Sequence, residues 1–434
     1  MNTSGTILKR TFTWAILLAG ITVMTTMQAV AEVKAGFGMR IVTPDPLLPV
    51  SGGMGIPNAA EIKNDDLTVR CLVLEKGDTR LAIVGADFIG MPSAIGNKIR
   101  ALVKGIKPEN IMIGVTHTHS APDMYAFGLD KDHHTGNLEY INFVIERAAE
   151  AINEAVTKLE PVMLKINSGE AEGKIAYNYY APQLYDPRCN VIQALKVSDG
   201  KPLATLVNYA SHPEVIGNDQ KMLGPDFVGP LYDKIEAVTG GGAIFMNGAQ
   251  GGMVTADCRG EDGKDVQTWE ECIRIGELLA TEALRIVEKA PIQKDPELQC
   301  FATTINYPME NEVFRNVTSM SPLDYKFNAD GSVAAQTNVI NIGDSQILTI
   351  PGEALPNIGY YLKRKMHGKH NFLFGLTNEA YGYILTREDF DSFKRYNYVS
   401  ETSLGPDTGT ILVDESLKYI NSLPKPASIG EPKG

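Results

Sequence analysis

Cysteine is scarce in this 434-residue chain, with Cys71, Cys189, Cys258, Cys272 and Cys300 scattered and none at a Cys-x-x-Cys spacing. That distribution excludes a disulfide framework and a thiolate-ligated zinc site. Cys71 and Cys189 fall in apolar, strand-like runs and read as buried thiols. Cys258 and Cys272 flank the acidic loop RGEDGKDVQTWEE, where an oxidising compartment would allow them to pair. Basic charge is short as well: 40 Lys and Arg face 52 Asp and Glu, a net charge of -12. An acidic surface repels phosphate backbones, so nucleic acid is excluded as a partner. Internal repeats and low-complexity tracts are absent, and the 44% hydrophobic content is that of a globular protein.

The chain has one long apolar run, and it is at the start. Lys9 and Arg10 precede the segment from Phe12 to Met24, and Ala29-Val30-Ala31 supplies a small-x-small cleavage site. The apolar core is shorter than the ~20 residues a membrane span needs, so residues 1–31 read as a signal peptide cut after Ala31. Residues 1–31 hold Lys9 and Arg10 and no acid, so cleavage takes the charge from -12 to -14. The expected product is secreted or periplasmic, with no stable membrane span, and residues 32–434 form its working domain.

From there the pattern is that of an α/β protein: mixed β-sheet layers with flanking helices. The Gly- and Pro-rich stretch Val33 to Gly55 is expected to wander over the surface or line a cleft. Val69 to Glu75 and Arg80 to Ala86 read as a hairpin, and Ala94 to Gly105 as a helix. Leu138 to Leu159 is the clearest helix, its apolar residues recurring at three and four. Strands are expected at 162–167, 190–197, 204–209, 243–246, 300–306, 337–342 and 346–350, and helices at 226–238, 271–290 and 354–366.

Histidine is rare too, with seven in the chain, and this scarcity gives weight to IMIGVTHTHSAPD, Ile111 to Asp123. His117 and His119 leave an apolar run two positions apart, a spacing that in a strand aims both imidazoles to one side. Such a pair is either a polar strand end or half of a metal site. His212, in NYASHPEVIG, is the one other histidine that follows directly on an apolar run. The strand Ala243 to Met246 ends in NGAQGG, where Asn247, Gly251 and Gly252 form either a plain tight turn or a loop whose amides approach a ligand. Glu353 lies between a strand and a helix, where a carboxylate commonly complements the helix dipole.

Taken in order, GFGMRIVTPDPLLP, VRCLVLEKGDTRLAIVGAD, GVTHTHSAPD, IAYNYYAP, DGKPLATLVNYASHP, FMNGAQGG, TIPGEALPNIG and GLTNEAYGYILTREDF resemble the neutral/alkaline, non-lysosomal ceramidase family over most of residues 33–423. The resemblance implies that family's catalytic-domain fold and a zinc site made by His117, His119, His212, Glu353 and Tyr383. Nitrogen and oxygen donors without thiolate suit Zn²⁺, and such a set leaves a place for a catalytic water. Implied with it is cleavage of an amide bond in a small-molecule or lipid-like N-acyl substrate. Tyr383 would ligate or donate to the oxyanion. From their position near these motifs, Asp87 or Asp226 would orient a ligand histidine, and Asn178, Tyr179, Asn247, Gly251 and Gly252 would touch substrate.

The chain departs from the family's pattern in three places. Tyr179 stands at an arginine position, Gly252 and Val254 replace an aspartate and a serine, and the family's C-terminal β-sandwich domain has no counterpart in the resemblance. Missing hydrogen-bond partners change selectivity by orders of magnitude, which makes ceramide one candidate among several N-acyl substrates. The alternative is a zinc-containing binding protein that kept the metal cage and lost turnover. A metallo-β-lactamase-type site is excluded, because Ala121 and Pro122 occupy the positions where it needs an acid and a histidine.

Overall fold

The computed structural model describes Met1 and residues 32–427; the expected signal peptide, 1–31, lies outside the described residues apart from Met1. The fold is mixed α/β, as expected. Its larger sheet is built from β1 (Lys34–Ile41), β2 (Thr68–Lys76), β3 (Thr79–Ala86), β4 (Ile111–Val115), β5 (Glu160–Glu170), β6 (Arg188–Lys196), β7 (Pro202–Tyr209) and β8 (Gly242–Asn247). Their spatial order is β8-β7-β6-β5-β1-β2-β3-β4, with the short strand Ile292–Gln293 added beside β5. Pairing is antiparallel except at the two ends, where β3 with β4 and β7 with β8 run parallel.

This sheet curls until its ends meet. A Cβ on Gly85 of β3 would stand 2.6 Å from the carbonyl oxygen of Phe245 in β8, and one on Gly114 of β4 only 2.6 Å from Met246 Cε. Glycine at both positions lets the two edges touch, and the exits of β4, β7 and β8 converge as a result.

A second sheet, in the order β9 (Leu298–Tyr307), β10 (Val333–Ile342), β11 (Ser345–Thr349), β12 (His370–Phe374), covers one face of the first. Ile83, Met112, Ile166 and Ile244 of the first sheet and Ile340, Ile347 and Phe372 of the second share one buried cluster between them. Helices α1 (Ser93–Leu102) and α2 (Leu138–Thr157) pack with the β2 to β4 end, and α3 (Val228–Thr239) and α4 (Trp269–Glu288) with β6 to β8. Both long helices start on a side-chain cap, Asn137 for α2 and Thr268 for α4.

Strand β1 corrects the sequence reading, which sent this glycine-rich stretch over the surface. It pairs with β2 along its whole length. Its glycines serve packing: a Cβ on Gly36 or Gly38 would come within 2.0 or 2.1 Å of the carbonyl oxygens of Ala155 and Ala151, so α2 lies directly against the strand. The later part, Gly52 to Met54, does line a cleft, as expected. All five cysteines are free thiols. Cys258 and Cys272 are buried and unpaired, with the Cys272 sulfur hydrogen-bonded to Asp226.

Candidate metal centre

Four chain segments bring five side chains together. His117 and His119 follow β4, His212 follows β7, Glu353 follows β11, and Tyr383 pairs with Glu353 in a two-residue parallel ladder. That ladder sets the carboxylate and the phenol side by side on neighbouring backbones. The two histidines of the H-x-H motif converge by a different route from the one expected: β4 ends at Val115, and His117 adopts a left-handed φ of 70°. Such a conformation is unfavourable for a side-chain-bearing residue and marks a position held by its surroundings. Here the His117 amide donates to Phe88 O, and its Nδ1 donates to the carbonyl of Ile89.

His212 is pinned in the same manner, its Nδ1 donating to Val254 O at 2.7 Å. With both Nδ1 atoms spent on backbone carbonyls, the Nε2 atoms face the centre. His119 Nε2 is 3.4 Å from His117 Nε2, His212 Nε2 is 3.1 Å from Glu353 Oε2, and His117 Nε2 is 3.4 Å from the same oxygen. The Tyr383 hydroxyl lies 3.4 Å from His212 Nε2. An ion with tetrahedral bonds of ~2.0–2.1 Å separates its ligand atoms by roughly 3.3–3.4 Å, so these spacings fit one small divalent cation. The three imidazoles alone form a group able to hold a metal ion.

Electrostatics favour that use at His119, whereas at His212 a cation must displace a proton. Burial, partly offset by Glu214, pushes His119 down to about 3, so its ring is neutral and its lone pair available. Burial also opposes charge on His212, but the hydrogen bond to Glu353 and the charges of Glu214 and Glu353 outweigh it and raise the ring to about 9. Glu353 itself is depressed despite burial, because His117 and His212 favour its ionised form. Tyr383 is raised well above 10 by burial and by Glu353, and stays a neutral donor.

The sequence reading gave the task of orienting imidazoles to Asp87 and Asp226, and the structure gives it to other groups. Asp87 accepts from the amide and hydroxyl of Thr68 at 2.8 and 2.7 Å and from Tyr232. It fixes the start of the segment whose carbonyls hold His117. Asp226 accepts from the amides of Ile216 and Phe227. The acid on the outer side of an imidazole is Glu214, 3.7 Å from His119 Nδ1, which the sequence reading missed. Its signal was its place two residues beyond His212 in the same short motif.

Asp226 gives a pH test. Burial raises it to about 6 against the amides that favour its charge, above the 3.8 of an exposed aspartate. Its stability contribution is complete below about pH 4 and lost as pH rises through 6, a difference of about 3 kcal/mol. Denaturant unfolding with chelator present should show the wild type losing more stability than Asp226→Asn between pH 4.5 and pH 7.5, by about 2 kcal/mol.

None of the five residues expected to touch substrate lines the cavity over the centre, which has about 470 Å³ of empty space, part of it open to solvent. Asn178 closes a turn onto Tyr180, Ala181 and Leu184, and the Tyr179 side chain is largely exposed. Asn247 is fully buried and donates to Thr116 O and Ser211 O, the residues just before His117 and His212. Gly251 packs on the Glu353 strand, where a Cβ would sit 2.1 Å from Glu353 O, and Gly252 needs a positive φ of 68°. The lining comes from Gly52 to Met54 and from aromatic residues that the sequence reading did not single out, Tyr125, Phe127 and Phe314.

Compared by sequence, the chain matches no protein-family profile and no curated protein. Compared by structure, it is similar to the crystal structure of neutral ceramidase from Pseudomonas aeruginosa, with a TM-score of 0.73 and 17% identity over 93% of this chain and 77% of that one. A ceramidase complexed with C2 gives a TM-score of 0.72 at the same identity and coverage. At this identity the likeness is one of fold, and it agrees with the architecture expected from the ordered sequence blocks.

Proposed function

We propose that the protein is an exported zinc-dependent hydrolase that cleaves an amide bond in an N-acyl substrate. The observation that carries this reading is the set of ligand-atom spacings of 3.1–3.4 Å linking His117, His119, His212 and Glu353, which fit one small divalent cation, with the Tyr383 hydroxyl beside them, 3.4 Å from His212 Nε2. The donor set is nitrogen and oxygen alone, which suits zinc in a site that keeps a position for chemistry. Zinc bound there supplies Lewis acidity, polarising a carbonyl and acidifying water. The fold likeness to ceramidases supports amide bonds as the target class, and the signal reading of residues 1–31 supports export. No described helix is long and apolar enough to cross a membrane.

The chain's own residues do the rest. The carbonyls of Ile89 and Val254 hold two imidazoles in one tautomer and orientation, and the Glu214 carboxylate lies 3.7 Å from Nδ1 of the third. Tyr383, kept protonated, donates a hydrogen bond to the oxygen that gains charge as the amide carbonyl becomes tetrahedral. Met253 Sδ, 3.2 Å from the Tyr383 hydroxyl, is a weak acceptor that such an oxyanion readily displaces.

Metal quantification on the purified mature protein, alongside hydrolysis of short- and long-chain N-acyl sphingosines and simpler N-acyl amines, tests the reading. One zinc per chain and turnover of at least one amide are expected. Tyr383→Phe should keep the zinc and lower kcat about 10²-fold. A stoichiometric zinc with no cleavage across the panel would overturn the proposed reaction.

A further inference from the structure

Beside the metal cavity is a second chamber with about 630 Å³ of empty space, part of it open to solvent. Tyr125, Phe127, Phe314 and Ala380 line both, so the two share part of their lining. The chamber is aromatic. Tyr125 stacks on Phe127 at 4.6 Å, Tyr325 lies over the same ring at 6.5 Å, and Phe314, Phe327 and Tyr381 complete the wall.

One buried charge interrupts that wall. Glu379 is 2% exposed and accepts hydrogen bonds from the amides of Ser93 and Ala380, each at 3.1 Å, and from the hydroxyls of Ser93 and Tyr381. Among the described residues it forms no ion pair. Arg100 acts on it through the field, but the hydrogen bonds of that guanidinium go to Ile111 O, Asn97 and Asn378. The cation on the lining, Lys326, is mostly exposed and pairs with Asp324. A carboxylate taken out of water without a cationic partner is costly, and aromatic faces around it attract positive charge through their quadrupoles.

We propose that this chamber receives an organic cation: the substrate is an N-acyl compound one arm of which passes the shared wall and ends in an ammonium group facing Glu379. The assignment rests on the amide-hydrolase reading for the word substrate, but the chamber's preference for a cation is a binding property that stands apart from turnover. It also agrees with the chain's acidic balance, which draws cations toward the protein. A purely structural Glu379, capping the start of α1 through Ser93, would need only an acceptor oxygen, and glutamine supplies one.

Calorimetric titration of the zinc-loaded protein with hexyltrimethylammonium and with hexanol separates the two roles. The ammonium should bind at least tenfold more tightly than the alcohol. Glu379→Gln should bring the two within about threefold while α1 keeps its cap, and Phe127→Leu should weaken the ammonium about tenfold with little change for the alcohol. Equal affinity for the two probes in the wild type, or a preference that survives both substitutions, overturns the proposal. In the kinetic arm, 6-(trimethylammonio)hexanoyl p-nitroanilide should exceed hexanoyl p-nitroanilide at least tenfold in kcat/KM. A binding preference with neither anilide cleaved would sustain the chamber and count against the amide chemistry alone.

Discussion

Replacing His212 with alanine is expected to empty the metal centre and abolish hydrolysis, with zinc falling below about a tenth of an equivalent and kcat/KM by at least 10³-fold. His212 is 1% exposed and its Nε2 is within 3.1 Å of Glu353 Oε2, so alanine removes one donor and strips the buried carboxylate of a partner. Breaking one side of a buried pair costs about 3–5 kcal/mol. The variant should therefore be less stable than the wild type even when both are held in chelator. Metal quantification and denaturant midpoints with and without chelator give the two readouts. A His212→Ala protein that keeps one zinc per chain would remove His212 from the ligand set, and with it the arrangement on which the proposed chemistry depends.

How far such a centre can be read from sequence depends on which interactions are local. The H-x-H spacing, the histidine after Ala204 to Tyr209 and the acid between strand and helix at Glu353 are each signals within a few residues, and all meet in space. The reasoning behind the first was only half right, since His117 reaches the centre from a left-handed backbone and not from a strand. Long amphipathic segments were legible for the same local reason: the helix expected at 138–159 spans Leu138–Thr157, and those expected at 226–238 and 271–290 span Val228–Thr239 and Trp269–Glu288.

Contacts that depend on closure of the whole sheet were hidden. Glycine in β1 reads locally as a loop former, and only the approach of Ala151 and Ala155 shows why the strand needs it. The meeting of Gly85 with Phe245, or of Tyr125 with Phe314 and Ala380 around a cavity, joins residues more than 150 positions apart and leaves no periodicity to find. Asp87 and Asp226 were singled out as acids near the motifs, but proximity in sequence said nothing about which amides had already claimed them.

Asn247 offers the sharpest contrast between touching a substrate and holding a centre together. Its side chain donates to Thr116 O and Ser211 O at 2.9 Å each and accepts from the amides of Ser211 and Gly248 at 3.3 and 2.8 Å. It ties the exit of β4 to the exit of β7, one residue short of His117 on one side and of His212 on the other, with no surface exposed. Asn247→Ala leaves two carbonyls and two amides buried with fewer partners, at about 1–3 kcal/mol for each left unsatisfied and about 4 kcal/mol in all after relaxation. With the two imidazoles no longer held in register, zinc affinity should fall about 10²-fold, as when groups that orient metal ligands are removed. Asn247→Asp should do no better, since it turns a carboxylate oxygen toward the same two carbonyls. A residue whose work was to bind substrate would behave in the opposite way, raising KM while zinc content and the denaturant midpoint stayed at wild-type values; that pattern in Asn247→Ala would return the residue to the substrate-binding role its sequence motif implied.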